Sequence, residues 1–173
     1  MSIRTFYDRW PQYNLRLIEA IAPLTDEQLA TRASADHWPI WAIVGHVAAT
    51  RVYWLCHVLG EPGADSTPWP DRSDQGWEDD LSHPRGAGEL VGALETTFDI
   101  IDDLLDRWTP DILGEEVERY YRDERQVHSR TSILQRLFTH DAYHDGELAL
   151  ALGSHGLEPV YIWRAYPGDT PPA

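Results

Sequence analysis

Lysine is missing from this sequence of 173 residues, and cysteine and methionine occur once each. The 14 basic residues are therefore all arginines, and they face 29 acidic residues, for a net charge of −15. A chain this acidic repels nucleic-acid phosphates and anionic membranes, because both bind basic patches. The composition argues against nucleic-acid and membrane partners, and we expect a small-molecule substrate instead.

The single cysteine, Cys56, excludes a disulfide within the chain. It lies among apolar neighbours, where burial disfavours the thiolate, so a packing role is favoured over a nucleophilic one. No run of 18 apolar residues is present, and the first 14 residues lack the basic and apolar regions of a secretory signal. These absences favour a cytoplasmic protein.

Apolar residues recur at three- and four-residue steps in four segments, which is typical of amphipathic helices. The predicted helices end near residue 22 and span about 39–60, 89–108 and 130–153. The first begins near Trp10 or is kinked at Pro11, and a capping box at Thr25 predicts a short helix after it. The segment EVERYY, residues 116–121, could be extended or a helical turn. Because no strand pattern of convincing length is present, we predict an all-α fold.

A loop of about 28 residues separates the second and third predicted helices. Antiparallel neighbours need only a few linking residues, so a long loop indicates a crossover between parallel helices. We therefore predict a four-helix bundle with long crossover loops and up-down-down-up order. Residues 1–165 would form one domain, and residues 166–173 a flexible tail.

Three histidines occupy apolar helical stripes. His140 and His144 are four residues apart, so their rings share one face of the fourth helix. His46 lies in the second helix among small residues that leave space around its ring. Each histidine alone could be a core residue with one hydrogen bond. Together they could hold one divalent ion, since imidazole suits zinc, nickel and iron.

Two other kinds of metal site fit poorly. The segment from His140 to His144 differs from the zinc-protease motif H-E-x-x-H, because Asp141 replaces the glutamate and no third ligand follows at the expected spacing. A di-iron bundle needs paired E-x-x-H motifs, whereas only one D-x-x-H is present.

The segments HWPIWAIVGHVAATRVYWL and HDAYHDGELALAL carry a resemblance to the DinB-like family of metal-binding helical bundles, which covers about residues 4–162. That family includes thiol S-transferases and thiol-dependent isomerases. The resemblance implies a divalent metal (Zn, Ni or Fe) on His46, His140 and His144. This sequence differs from many family members after His144, where Asp145-Gly146-Glu147 replaces R-G-Q.

Three histidines leave one position of a tetrahedral site open, as in catalytic sites. By resemblance, the hypothesis is transfer of a low-molecular-weight thiol to an electrophile. Glu147, one turn past His144, could act as a base, orient a ligand or approach the metal, or it could be an ordinary helix glutamate. Arg51, Arg130 and Arg136 are candidates for binding the thiol's carboxylates. The alternatives are metal-water hydrolysis, isomerisation, or a non-catalytic metal-binding stress protein. A homodimer is also expected.

Overall fold

The computed structural model describes residues 1–163, so the predicted tail at 166–173 lies outside the described residues. The chain is mostly helical. Its helices are α1 (Trp10–Ile21), α2 (Asp26–Leu29), α3 (Ile40–Val52), α4 (Ala87–Arg107) and α5 (Arg130–Ser154). Two strands, β1 (Glu116–Tyr121) and β2 (Glu124–Ser129), form a hairpin. The described part of the chain thus has five α-helices, and the predicted count of four is not confirmed.

Local sequence accounts for where the helices begin. A 3₁₀ turn, Ile3–Phe6, precedes α1, and Pro11 lies in the first turn of α1, where its missing N–H costs nothing. The Thr25 hydroxyl accepts a bond from the Gln28 backbone N–H, and the Gln28 side chain accepts one from Thr25, which confirms the capping box. At the start of α5, the Ser129 side chain accepts the backbone N–H of Ser132.

Helices α3 and α4 run in the same direction. The Arg51 side chain of α3 reaches the Leu94 carbonyl oxygen in the first half of α4. Further along both segments, Glu61 pairs with Arg107 at the end of α4 at 2.7 Å. The long segment at 60–86 supplies the crossover that parallel neighbours require.

Helix α5 runs opposite to α3. Arg130 at its start pairs with Glu61, nine residues after the end of α3, whereas His140 in its middle contacts His46 within α3. Helix α3 packs on both α4 and α5, and α1 packs on α4. Buried apolar side chains from these four helices form one core.

The β-hairpin corrects the prediction of an all-α chain without strands. Strand β1 is the EVERYY segment, and its pairing with β2 leaves a two-residue turn at Arg122 and Asp123. Both turn residues have positive φ, 49° and 65°, a conformation usually signalled by Asn-Gly. Neither strand is fully buried on one face, so the hydrophobic alternation that would have revealed it is weak.

The helix predicted to run to Gly60 changes its hydrogen-bond pattern on the way. Regular α-helix ends at Val52, and a π-helical turn, Tyr53–Val58, follows. Such a turn inserts extra backbone into the helix and redirects the side chains that come after it. Within the described residues, no helix combines the length and apolar character needed to cross a membrane.

Candidate metal centre

The three predicted histidines meet between α3 and α5. The Nε2 atoms of His46 and His140 are 3.0 Å apart, and one potential ligand atom from each of His46, His140 and His144 lies within 4.8 Å of the others. The ring centroids of His140 and His144, one turn apart on α5, are 4.5 Å apart. Sequence reasoning brought together residues from two helices, and the structure places them in one cluster.

Two carboxylates orient the rings. Glu78 Oε1 accepts a hydrogen bond from His46 Nδ1 at 2.5 Å, and Glu147 Oε2 accepts one from His144 Nδ1 at 2.9 Å. A ring that donates through Nδ1 presents Nε2 as a lone-pair donor in its neutral form. His46 and His144 are therefore held in the tautomer that a metal ion needs.

Two glycines leave the space that Glu78 needs to reach His46. A Cβ on Gly45 would lie 2.9 Å from the Trp77 ring, so glycine lets Trp77 pack against α3. A Cβ on Gly76 would lie 2.3 Å from the Glu78 carboxylate. Trp77 is buried and contacts Trp69 in a tilted arrangement, with ring centroids 4.8 Å apart, which holds the loop beside His46. Glu78 follows directly and reaches the ring.

Burial disfavours protonation of the two histidines of α5. It lowers the pKa of His140 to about 3, with further lowering by the neighbouring rings of His144 and His46. Burial also lowers the pKa of His144, and the bond to Glu147 opposes that shift. The α5 pair is thus unprotonated at neutral pH, as ligation requires.

The donor set fits a divalent ion. Nitrogens bound to one tetrahedral ion at 2.0–2.1 Å lie about 3.3 Å apart, close to the separation of the His46 and His140 Nε2 atoms. Without an ion, the contact between the two Nε2 atoms can hold only one proton, donated by one ring to the other. The buried Nδ1 of His140 has no hydrogen-bond partner among the described residues. His46, His140 and His144 would hold the ion.

The three candidate arginines lie in different surroundings. Arg51 is 1% exposed, and its guanidinium donates to Asp141 and Asn14 in the core. Arg130 pairs with Glu61 and Glu115. The structure does not bring these two to an open surface near the histidines.

Arg136 is the best placed of the three. It lies one turn before His140 on α5, and its guanidinium stacks 4.7 Å from the ring centroid of Trp54. It also lines an open cavity of about 380 Å³ together with His128, Gln135 and Thr139.

Glu147 contacts His144, as its position one turn along α5 suggested, whereas Glu78 was missed. Glu78 belongs to a loop without periodicity, so no pattern in the sequence places it near His46. The one local signal is that Glu78 directly follows Trp77, a large side chain whose packing could hold the acid in place.

We expect Glu78→Gln to weaken metal binding about 10–100-fold, the usual cost of removing a carboxylate behind a ligating histidine. The amide still accepts the Nδ1 proton but no longer adds negative charge that strengthens the ligand. Isothermal titration with zinc measures the effect, and Asp79→Asn, an exposed neighbour, is the matched control. Equal affinities of the two variants would contradict the role of Glu78.

A mostly helical chain with three buried or half-buried histidines converging between two helices is a candidate metal-binding helical protein. A family model described as the DinB superfamily matches residues 15–148. The chain therefore belongs to the DinB superfamily.

Among solved structures, the chain is similar to a DinB-like protein from Bacillus cereus ATCC 10987, with a TM-score of 0.68 and 18% identity. The match covers 95% of this chain and 98% of that chain, which shows the shared fold. No curated protein matches the chain.

Proposed function

We propose that this protein is a metal-dependent enzyme that transfers a low-molecular-weight thiol to an electrophile. The observation that carries the proposal is the convergence of His46, His140 and His144, with two Nε2 atoms 3.0 Å apart. When bound, a divalent ion would lower the pKa of a thiol held beside these rings and so supply a nucleophile at neutral pH. Zinc, nickel and iron all suit imidazole ligands.

The protein's own groups would position the reactants. Glu78 and Glu147 hold the rings of His46 and His144, so Glu147 is first a positioning residue, and its role as base stays a prediction. Arg136 is the best-placed group for the carboxylates of a thiol, because its cavity begins one turn from His140.

Thiol consumption tests the proposal directly. We expect zinc-, nickel- or iron-loaded protein to conjugate a thiol with monochlorobimane, followed by fluorescence. Arg136→Leu should raise KM about tenfold for glutathione, the scale of one charge-assisted hydrogen bond, and leave KM for 2-mercaptoethanol unchanged. A rise in KM for glutathione alone would indicate lost carboxylate binding, whereas a rise for both thiols would indicate damage to the site.

Three outcomes would contradict the transferase proposal and favour another function. Ester or amide hydrolysis without thiol would favour metal-water hydrolysis, and rearrangement of a thiol adduct would favour isomerisation. Metal retention with no turnover of any tested thiol would favour a non-catalytic metal-binding protein. Cytoplasmic location and a homodimer also remain proposals, and light scattering on the purified chain tests the second.

A further inference from the structure

A second cavity adjoins the histidine cluster through Glu78, which bonds His46 Nδ1. Its volume is about 370 Å³, and its walls come from residues 49–57 of α3 and the π-helical turn and from residues 69–79 of the long loop. Glu78 lines this cavity and also bonds His46, so one carboxylate separates it from the metal centre. Its volume lies in the range of small-molecule sites.

Aromatic rings form much of the wall. Tyr53, Trp54, His57 and Trp69 all line the cavity. The indole N–H of Trp69 donates to the Gln75 carbonyl oxygen, and its ring contacts Trp77, so the ring is held in place. The faces of Tyr and Trp rings carry negative electrostatic potential, which attracts cations. Trp54 already binds cations in this way, because the guanidinium groups of Arg119 and Arg136 lie 4.3 Å and 4.7 Å from its ring centroid.

The polar groups of the wall are mainly acceptors. Of the charged side chains that line the cavity, three are carboxylates (Asp74, Glu78 and Asp79) and one is a guanidinium (Arg72). His57 Nε2 lies 3.2 Å from the Trp69 carbonyl oxygen, which can only accept, so the ring donates there. In the neutral ring, Nδ1 is then left as another acceptor. The excess of carboxylates among the lining residues would repel an anionic ligand.

We propose that this cavity binds a small organic cation, an ammonium group carrying an aromatic or alkyl substituent. The carboxylates would pair with the charge, and the rings would cover the ammonium and its substituent. The site shares Glu78 with the metal centre, but it does not depend on the proposed thiol chemistry.

The test uses benzyltrimethylammonium, with benzyl alcohol and phenylacetate as the neutral and anionic comparators. Binding is measured by isothermal titration and saturation-transfer NMR on the full chain, both metal-free and zinc-loaded. We expect the cation to bind more tightly than both comparators. Equal or tighter binding of phenylacetate or benzyl alcohol would overturn the proposal.

Variants separate this site from general attraction to an acidic protein. Asp79→Asn and Asp111→Asn change the net charge equally, but only Asp79 lines the cavity. We expect Asp79→Asn to weaken cation binding about fivefold, and Tyr53→Leu by a similar factor through loss of a cation–π contact. Zinc content should stay the same in both. Equal effects of Asp79→Asn and Asp111→Asn would refute the site, even if Tyr53→Leu fails to fold.

Discussion

His140→Ala should abolish stoichiometric metal binding while leaving the protein folded. The variant removes one of the three proposed ligand nitrogens, the His140 Nε2 atom that lies 3.0 Å from His46 Nε2. The loss in affinity should exceed the 10–100-fold expected for an outer partner such as Glu78. Elemental analysis of protein purified without a histidine tag measures the metal content.

The fold should survive because the core does not depend on the ion. Buried leucine, isoleucine, valine and tryptophan side chains of α1, α3, α4 and α5 pack together without it. Far-UV circular dichroism of metal-free wild type and His140→Ala should therefore agree. His83→Ala, an exposed loop histidine, is the control and should retain full metal content. A metal-free protein that unfolds would show that the ion is structural.

Protons should compete weakly with the metal at the α5 pair. Burial lowers the pKa of His140 to about 3, so this ring stays neutral when pH falls to 6, and burial also lowers the pKa of His144. The same shift destabilises the metal-free fold in acid. The unfolded chain takes up protons below about pH 6.5, whereas the folded His140 does so only near pH 3.

Helical periodicity predicted the mostly helical fold and the cluster of three histidines. The spacing of His140 and His144 places two rings on one helix face whatever the tertiary structure, and Gly45 beside His46 indicated space around a third ring. The helix boundaries also follow local signals, such as the proline in the first turn of α1 and the Ser129 cap of α5.

Features fixed by tertiary packing could not be read in this way. Glu78 reaches His46 only because Trp77 packs against Gly45, a contact between a loop and a helix 32 positions apart in sequence. The hairpin turn at Arg122 and Asp123 lacks the residues that usually mark positive φ. Arg51 was a candidate for binding the carboxylates of a thiol, yet its side chain is buried in the core.

Arg51→Met should destabilise the protein by about 3–5 kcal/mol, the cost of leaving a buried charge without its partner. Arg51 Nη2 lies 2.8 Å from Asp141 Oδ2, and Nη1 lies 2.8 Å from Asn14 Oδ1 and 3.4 Å from the Leu94 carbonyl oxygen. The Trp10 indole N–H donates to the same Asp141 oxygen. One network therefore ties together α1, α3, α4 and α5.

A nearby carboxyl, Asp145, should add to this cost. Burial, then the charge of Asp141, raises the pKa of Asp145 to about 7, and Arg51 opposes that rise. Because the folded pKa is above the unfolded one, Asp145 favours folding in acid, and this contribution is lost as pH rises through 7. The destabilisation by Arg51→Met should therefore be larger at pH 8 than at pH 5.

Urea unfolding, followed by far-UV circular dichroism and tryptophan fluorescence, measures both the single variants and their combination. Asp141→Asn removes the partner charge, so the double variant Arg51→Met/Asp141→Asn should lose less stability than the two single losses added together. Arg125→Met, which breaks the exposed pair with Glu118 on the hairpin, should leave the unfolding midpoint in place. Additive losses in the double variant would mean that Arg51 and Asp141 act separately, and the network would then not join the helices as the geometry indicates.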